Sequence, residues 1–409
     1  MYTAHHRGTE QWVDMQSHVI KSTGELNWLP WDSLEHPSFY LSSDWLRARS
    51  QTIKGAERFI LVSDTDDKPL AAAPGYLVDS SSHPGFDPAR VLTISDLADS
   101  ELEPGATKAL AELRDELSKR RDEWAPSLVM SAPGRYGGIS YKRNLNSEDN
   151  HAALVSLVDA VERQATADAA RAICWLYFSE KDNSELAGLL HQRGYLSLVV
   201  DAECYLPIRW QDFPGYLSTF GRKDRWQIKH EMAALDRAGV KVELHGVDAL
   251  GPELAPLERQ WREKYGRMPP IAEILADYEN LRALVSRSVR VFVARLGDRP
   301  IGFSVFLDQE DRWYARFCGF DYSVKDLFLY FNLLFYRPME VFIERGVRCV
   351  YYALKAYEAK CSRGCRLANV MLYVRPPQGW SRLSELLPII DSAQRSRFQI
   401  IENRYHPAR

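Results

Sequence analysis

The chain has no apolar run of the roughly 20 residues that a membrane-crossing helix needs. Its longest greasy stretch, 327–336, is broken by Asn332 and followed by Arg337-Pro338, so a protein without a helical membrane span is expected. It also lacks an excess of either charge: 52 Lys and Arg stand against 55 Asp and Glu, a net of −3. A polyanionic partner would have to engage a local patch rather than the whole surface. Cysteine offers no framework. Of the six, only Cys361 and Cys365 lie close together, and no second pair completes a zinc set. Most sit in apolar runs such as Ala172-Ile173-Cys174-Trp175-Leu176, which suits reduced thiols of a cytoplasmic protein. The ten histidines show no ligand spacing, and there is no Gly-x-Ser-x-Gly elbow, no P-loop and no His-Glu-x-x-His. Serine hydrolysis, ATP-driven chemistry and zinc proteolysis lose their usual signatures, and no metal or redox cofactor is implied. The first ten residues carry no charged-then-apolar signal pattern, and a cytoplasmic location is the expectation.

What is present is ordinary globular composition, 45% apolar and 26% charged, over 409 residues, enough for two or three domains. After an entry region over 11–50, holding Trp28, Trp31 and a helical piece at 41–49, a β-type run at 58–62 turns through 64–69 into a second run at 70–77. Helical patterns follow at 107–123 and 151–167, then a buried-strand run at 172–178, a short helix at 185–193 stopped by Gly194, and extended chain to 206. The second half repeats parts of this. Residues 291–294, a turn at 297–300 and 301–307 mirror the first hairpin, and both turns set a basic residue before proline (Lys68-Pro69, Arg299-Pro300). The helix stop at Gly194 is echoed by Gly346 before the run 347–354. The pattern predicts two mixed α/β units, 1–206 and 207–409, with a helical insert at 222–287 in the second. The insert is read as helices at 222–238, 254–265 and 271–287.

Two constellations could carry chemistry. In the first, Arg222, Lys223, Arg225 and Lys229 against Asp224 leave +3 within a few residues. On a helix, Ile228, Met232 and Leu235 share one face, and Arg222, Arg225 and Lys229 form another stripe. Such a stripe suits an anion, phosphate above all; a solvated charged face is the alternative. The second runs from 313 to 366. Residues 313–320 alternate like a strand, with Tyr314 and Arg316 on one face, and a helix with Tyr330, Asn332 and Tyr336 meets Pro338. The strand 347–354 then enters a segment where Lys355, Lys360, Arg363 and Arg366 outnumber Glu358. Were the strand to continue, Glu358 and Lys360 would point the same way, and a carboxylate beside a lysine can hold an amine or take its proton. An exposed ion pair is the alternative.

Tyr314, Arg316, Gly319, Tyr330, Asn332, Tyr336, Pro338, Glu358, Lys360, Arg363 and Gly364 stand in an order that resembles a GNAT-like family associated with peptidoglycan biosynthesis or recognition. That family is related in fold to Fem-type aminoacyl-tRNA-dependent peptidyl transferases. The resemblance is carried mainly by 290–366. In the first half it rests on His36-Pro37-Ser38-Phe39, Asp44-Trp45-Leu46 and Tyr76-Leu77-Val78-Asp79-Ser80. It implies tandem GNAT-like α/β domains, each a mixed sheet flanked by helices, and transfer of an acyl group to an amine. The donor it suggests is an aminoacyl-tRNA, and the acceptor an amine of a small molecule or peptide-like precursor. Arg222, Lys223, Arg225 and Lys229 would hold phosphates, and Glu358 would orient or deprotonate the amine. Lys360 and Arg363 would anchor an anionic group. Tyr314, Tyr330 and Asn332 would line a cleft between the halves, with Arg316, Tyr336 and Lys355 also binding substrate.

One departure bears on the donor. GNAT enzymes that use acetyl-CoA carry Arg/Gln-x-x-Gly-x-Gly/Ala between a strand and a helix, yet after Gly319 no glycine occurs until Gly346. The glycine-rich turn Pro133-Gly134-Arg135-Tyr136-Gly137-Gly138 lies in the other half and is expected to be a loop. CoA is disfavoured on this ground. A CoA-dependent N-acyltransferase with an atypical loop and a non-catalytic domain recognising a cell-wall precursor or a protein stay open as alternatives.

Overall fold

The computed structural model describes residues 15–406 other than 28, 95, 96 and 98–101. Trp28 and the first ten residues, both considered above, lie outside the described residues. In the first half, β1 (Gln16–Ile20) comes first among the described elements and α1 (Ser43–Arg49) follows a series of short turns. After β2 (Ala56–Glu57), the expected hairpin forms from β3 (Phe59–Ser63) and β4 (Pro69–Ala73). The apolar run that continues past β4 splits at Pro74. β4 stays in a small antiparallel sheet, while β5 (Gly75–Val78) passes into a large one. Helices α2 (Pro88–Leu92) and α3 (Pro104–Arg120) lead to β6 (Ser127–Met130), and β7 (Ser140–Tyr141) closes the small sheet in the order β1-β3-β4-β7. Then come α4 (Ser147–Ala167), β8 (Ala172–Ser179), α5 (Ser184–Gln192) and β9 (Leu196–Pro207).

The second half starts with α6 (Phe213–Ser218) and α7 (Arg222–Arg237), the basic helix of the sequence pattern. The expected helical insert is interrupted at β10 (Val240–His245), which pairs antiparallel along its whole length with β11 (Val289–Leu296). Its residues alternate apolar and polar, Val240-Lys241-Val242-Glu243-Leu244-His245, the period-2 signature of a strand with one face buried. The segment is thus part of the sheet, and only α8 (Ala255–Glu263) and α9 (Ile271–Val285) form the helical layer between β10 and β11. The second hairpin joins β11 to β12 (Arg299–Gln309), followed by β13 (Arg312–Phe320). A helix then changes pitch, with α10 (Leu329–Phe331), a π-helical turn over Asn332–Tyr336 and α11 (Arg337–Glu344). Pro338 stands in the first turn of α11 directly after the π-helical turn, and the Leu334 carbonyl within that turn accepts from the Tyr352 hydroxyl at 2.9 Å. The chain ends with β14 (Cys349–Leu354), α12 (Tyr357–Cys361), β15 (Arg366–Arg375) and α13 (Leu383–Tyr405).

Among the described residues the large sheet has eleven strands, in the order β10-β11-β12-β13-β14-β9-β15-β8-β6-β5-β2. Each half contributes one parallel pair, β6 with β8 and β13 with β14, a recurrence consistent with the repeated pattern in the sequence. The closing strands are exchanged. β9 of the first half lies between β14 and β15 of the second, and β15 lies between β9 and β8. The segments 1–206 and 207–409 are therefore joined through one continuous sheet. Gly319 lets a helix approach this sheet closely: a Cβ there would stand 2.5 Å from the Glu258 amide nitrogen of α8. Among the described residues, no helix is long and apolar enough to cross a membrane.

Candidate functional site

The parallel pairing of β13 and β14 covers only Arg312 with Cys349, Trp313 with Val350 and Tyr314 with Tyr351, after which the strands part. Both are irregular there. Against β12, the register of β13 shifts so that Phe306 faces Ala315 and Val305 faces Phe317, leaving Arg316 as the extra residue of a bulge. A bulge re-aims the side chain it inserts. On β14, Tyr351 faces Tyr205 while Leu354 faces Glu203, and Ala353 between them takes a left-handed φ of 54°. The corresponding split in the first half is plugged. After Met130 pairs with Trp175, Gly137 bridges to Phe178, and a Cβ on Gly137 would lie 2.5 Å from the Leu176 carbonyl oxygen. The glycine-rich turn is thus a filler of the first split, and the second is the one lined by polar groups.

Rings from both halves meet at this second split. Tyr314 stacks on Tyr351 with centroids 5.1 Å apart and meets Tyr40 edge-on at 5.4 Å. Tyr40 in turn lies 5.7 Å from Tyr136. The first-half segment that supplies Tyr40 and Trp45 is held by its caps and by the second half. Ser38 and Ser42 accept from the Tyr40 and Trp45 amides. Gln309 and Arg312 donate to the carbonyls of His36 and Pro37, at 3.2 and 2.6 Å. The Trp45 indole donates 2.7 Å to the Pro133 carbonyl, which fixes its ring beneath the Arg316 guanidinium, 5.2 Å away.

Two charged groups in this seam have no hydrogen-bond or ion-pair partner among the described residues. Arg316 forms neither a hydrogen bond nor an ion pair among the described residues, and burial pulls its pKa below the ordinary guanidinium range. Glu203, buried on β9, likewise forms no side-chain hydrogen bond. Burial pushes its carboxyl up to about 7, against the pull of Lys181 and Lys360 and with the help of Asp182 and Asp201. The fields of both groups reach the Tyr40 hydroxyl, itself pushed up to about 12 by burial, with Arg316 opposing. Lys181 closes the far side, its ammonium 3.8 Å from the Tyr205 ring. A carboxyl that titrates near neutrality and an unpaired cation, walled by tyrosines, can take a proton from one reactant and hold an anionic part of another.

Of the residues singled out in the sequence, Tyr314 and Arg316 line this seam, although the bulge at Arg316 breaks the simple alternation expected to set both on one face. Glu358 and Lys360 do not share a face. Lys355 and Ala356 adopt left-handed φ values of 67° and 52°, the chain coils into α12, and the two side chains diverge. Glu358 is exposed and paired with Arg404. Lys360 is buried, with its ammonium on the carbonyls of Tyr352, Ala353 and Leu354 at 2.6, 3.2 and 2.9 Å. All three of its donors are spent on the β14 bulge, so it anchors backbone rather than substrate. Arg363 and Tyr336 are likewise committed. The guanidinium makes two 3.0 Å bonds to Glu231 of α7 and a third to the Tyr336 hydroxyl, which itself bonds Glu231. Asn332 is sealed under α7, donating to the Glu231 carbonyl at 3.1 Å. Tyr330 is half-buried among Phe320 and Phe331, and Lys355 pairs with Asp201 at 2.7 Å. On α7, Arg222, Lys223 and Lys229 are exposed, while Arg225 donates 2.8 Å to the Phe220 carbonyl. Glu203 is the residue that pattern reading missed. Its signal was slight: two acids, Asp201 and Glu203, spaced i, i+2 inside an otherwise apolar strand.

The sequence matches the FemAB-like family, described as peptidoglycan biosynthesis/recognition, over residues 112–371. No curated protein gives a significant match. Among solved structures, FemX superposes with a TM-score of 0.57 at 12% identity, over 88% of this chain and 96% of its own. A conserved protein from Bacteroides thetaiotaomicron superposes with a TM-score of 0.53 at 10% identity, over 87% and 98%. A tandem GNAT protein from the clavulanic acid biosynthesis pathway aligns at a TM-score of 0.43 and 10% identity, over 88% and 98%.

Proposed function

Because the chain belongs to the FemAB-like family and folds as tandem GNAT-like halves, we propose that it is an acyltransferase that forms amide bonds in the seam between them. The donor in this reading is an aminoacyl ester of tRNA, and the acceptor an amine of a small molecule or peptide-like precursor. The observation that carries it is Glu203, a buried carboxyl without a hydrogen-bond partner among the described residues, held near neutrality beside the split of β13 and β14. An amine that attacks an ester carbonyl must give up a proton as the amide forms, and a base is most useful when its pKa lies near the working pH.

The groups then divide the work. The acceptor nitrogen attacks the acyl carbon and Glu203 takes its proton. The tetrahedral intermediate collapses with cleavage of the ester C–O bond, and the proton passes from Glu203 to the departing ribose oxygen. Arg316, aimed by its bulge and backed by Trp45, holds an anionic part of a substrate or the developing oxyanion. The tyrosines exclude water, which would otherwise hydrolyse the ester. The donor needs no ATP, because the ester is already activated.

The test is transfer of a radiolabelled amino acid from mixed aminoacyl-tRNA to a peptide-like amine acceptor, run beside acetyl-CoA. Transfer from tRNA that drops at least about 100-fold in Glu203→Gln is expected. Acetylation from acetyl-CoA without aminoacyl transfer would replace the donor. Transfer unchanged in Glu203→Gln would remove the base from its role.

A further inference from the structure

The seam leaves unexplained the exposed end of α7. Trp226 is 63% exposed, although a ring of that size is normally withdrawn from water. It is not loose. It lies parallel to the His230 ring, one turn along the helix, with centroids 5.1 Å apart and an interplanar angle of 11°. His230 in turn meets Phe328 edge-on at 6.0 Å. One face of the indole is therefore backed by a ring that is itself braced, and the other face is free. Around it, the side chains of Arg222, Lys223 and Lys229 form no hydrogen bond or ion pair among the described residues.

A free aromatic face set among unpaired cations matches the chemistry of a single-stranded nucleic acid, whose bases stack and whose phosphates need countercharge. A lipid surface fits less well, because the indole's neighbours one turn away along α7 are Arg222, Lys223 and Lys229 rather than apolar side chains that could enter a bilayer interface with it. Position agrees with this. Phe328 stands just before α10, beyond the end of β13, the strand that carries Arg316. From Arg316 to Phe320 the strand spans four residues, about 13 Å. The patch and the parting of the strands thus lie toward the same end of β13.

We infer that the Trp226–His230 stack is a platform for an unpaired base near the end of a single-stranded RNA, with Arg222, Lys223 and Lys229 gripping its phosphates. The inference rests on the aminoacyl-tRNA reading above and adds to it the surface that would bind the donor's single-stranded 3′ end.

The experiment is titration of the full chain with a fluorescein-labelled single-stranded RNA of about eight nucleotides ending in CCA, at several salt concentrations, with vesicles containing anionic lipid run in parallel. Salt-sensitive binding of the parent is expected. It should weaken about tenfold or more in Trp226→Ala and be largely kept in Trp226→Phe. Lys229→Ala should lower the slope of log affinity against log salt by about 0.7. Three results would overturn the inference: no RNA binding by the parent at low salt, equal binding by Trp226→Ala, or Trp226-dependent binding to vesicles alone. The transfer assay separates this inference from the donor reading. A parent that transfers aminoacyl groups and is indifferent to Trp226→Ala sinks the platform and keeps the reading. A parent that binds the RNA through Trp226 but uses only acetyl-CoA does the reverse.

Discussion

The Lys360 ammonium donates 2.6 Å to the carbonyl of Tyr352, and two further bonds take it to the next two carbonyls of the same strand. These carbonyls surround the left-handed Ala353, at the point where β14 faces Glu203 across the ladder. The cation that the sequence suggested for substrate thus shapes the wall of the seam. Lys360→Met should leave three carbonyls without their donor and destabilise the fold by about 3 kcal/mol, read as a lowered urea midpoint. Glu358→Gln, which removes only an exposed pair with Arg404, should change stability by less than about 1 kcal/mol and leave transfer unchanged.

Glu203 makes stability and activity move oppositely with pH. The folded protein holds its proton up to about 7, whereas the unfolded chain releases it near 4.5. Between those values the native state binds more protons, so stability falls as pH rises through the window. Glu203→Gln should therefore be more stable than the parent by about 2–3 kcal/mol at about pH 8, with the two converging toward about pH 5. Transfer by the parent should rise along a limb with an apparent pKa of about 7. Denaturant melts and rate profiles across this range check both.

Arg316 is kept at a loss. A guanidinium drawn from water without a partner destabilises the fold, only partly offset by the Trp45 ring. Arg316→Met should stabilise the protein by about 1 kcal/mol while weakening substrate affinity at least about tenfold. A melting curve that falls together with binding would show that the residue is structural.

The Arg363–Glu231 pair predicts a different pattern. Removing one partner strands a charge in the core, and Arg363→Met should cost about 3–5 kcal/mol. Adding Glu231→Met should recover most of that loss, because two buried charges leave together. A double-mutant cycle measures the coupling directly.

Local pattern reached well into this protein. The two hairpins with their basic-proline turns, the stop at Gly194 and its echo at Gly346, and the strand β13 that carries Tyr314 and Arg316 depend on neighbours within a few residues. Hydrogen-bond periodicity and glycine's freedom at positive φ impose those wherever the chain lies. β10 alternates strictly between two helices, yet the expected helical insert over 222–287 passed over it, and its pairing with β11 is what places it in the sheet.

The site was decided elsewhere. Glu203 is one acid in a strand until β14 and β15 close on either side of β9 and remove its water. Lys360 and Glu358 part only because left-handed residues turn an expected strand into a helix. Sequence alone determined most of the strands and helices that local pattern can mark and which residues could be charged, but neither β10 nor the coiling of 357–361 into α12. Only the exchange of closing strands between the halves decided which charges are desolvated and unpaired. Desolvation is a property of everything packed around a group, and that is assembled from residues far apart in the chain.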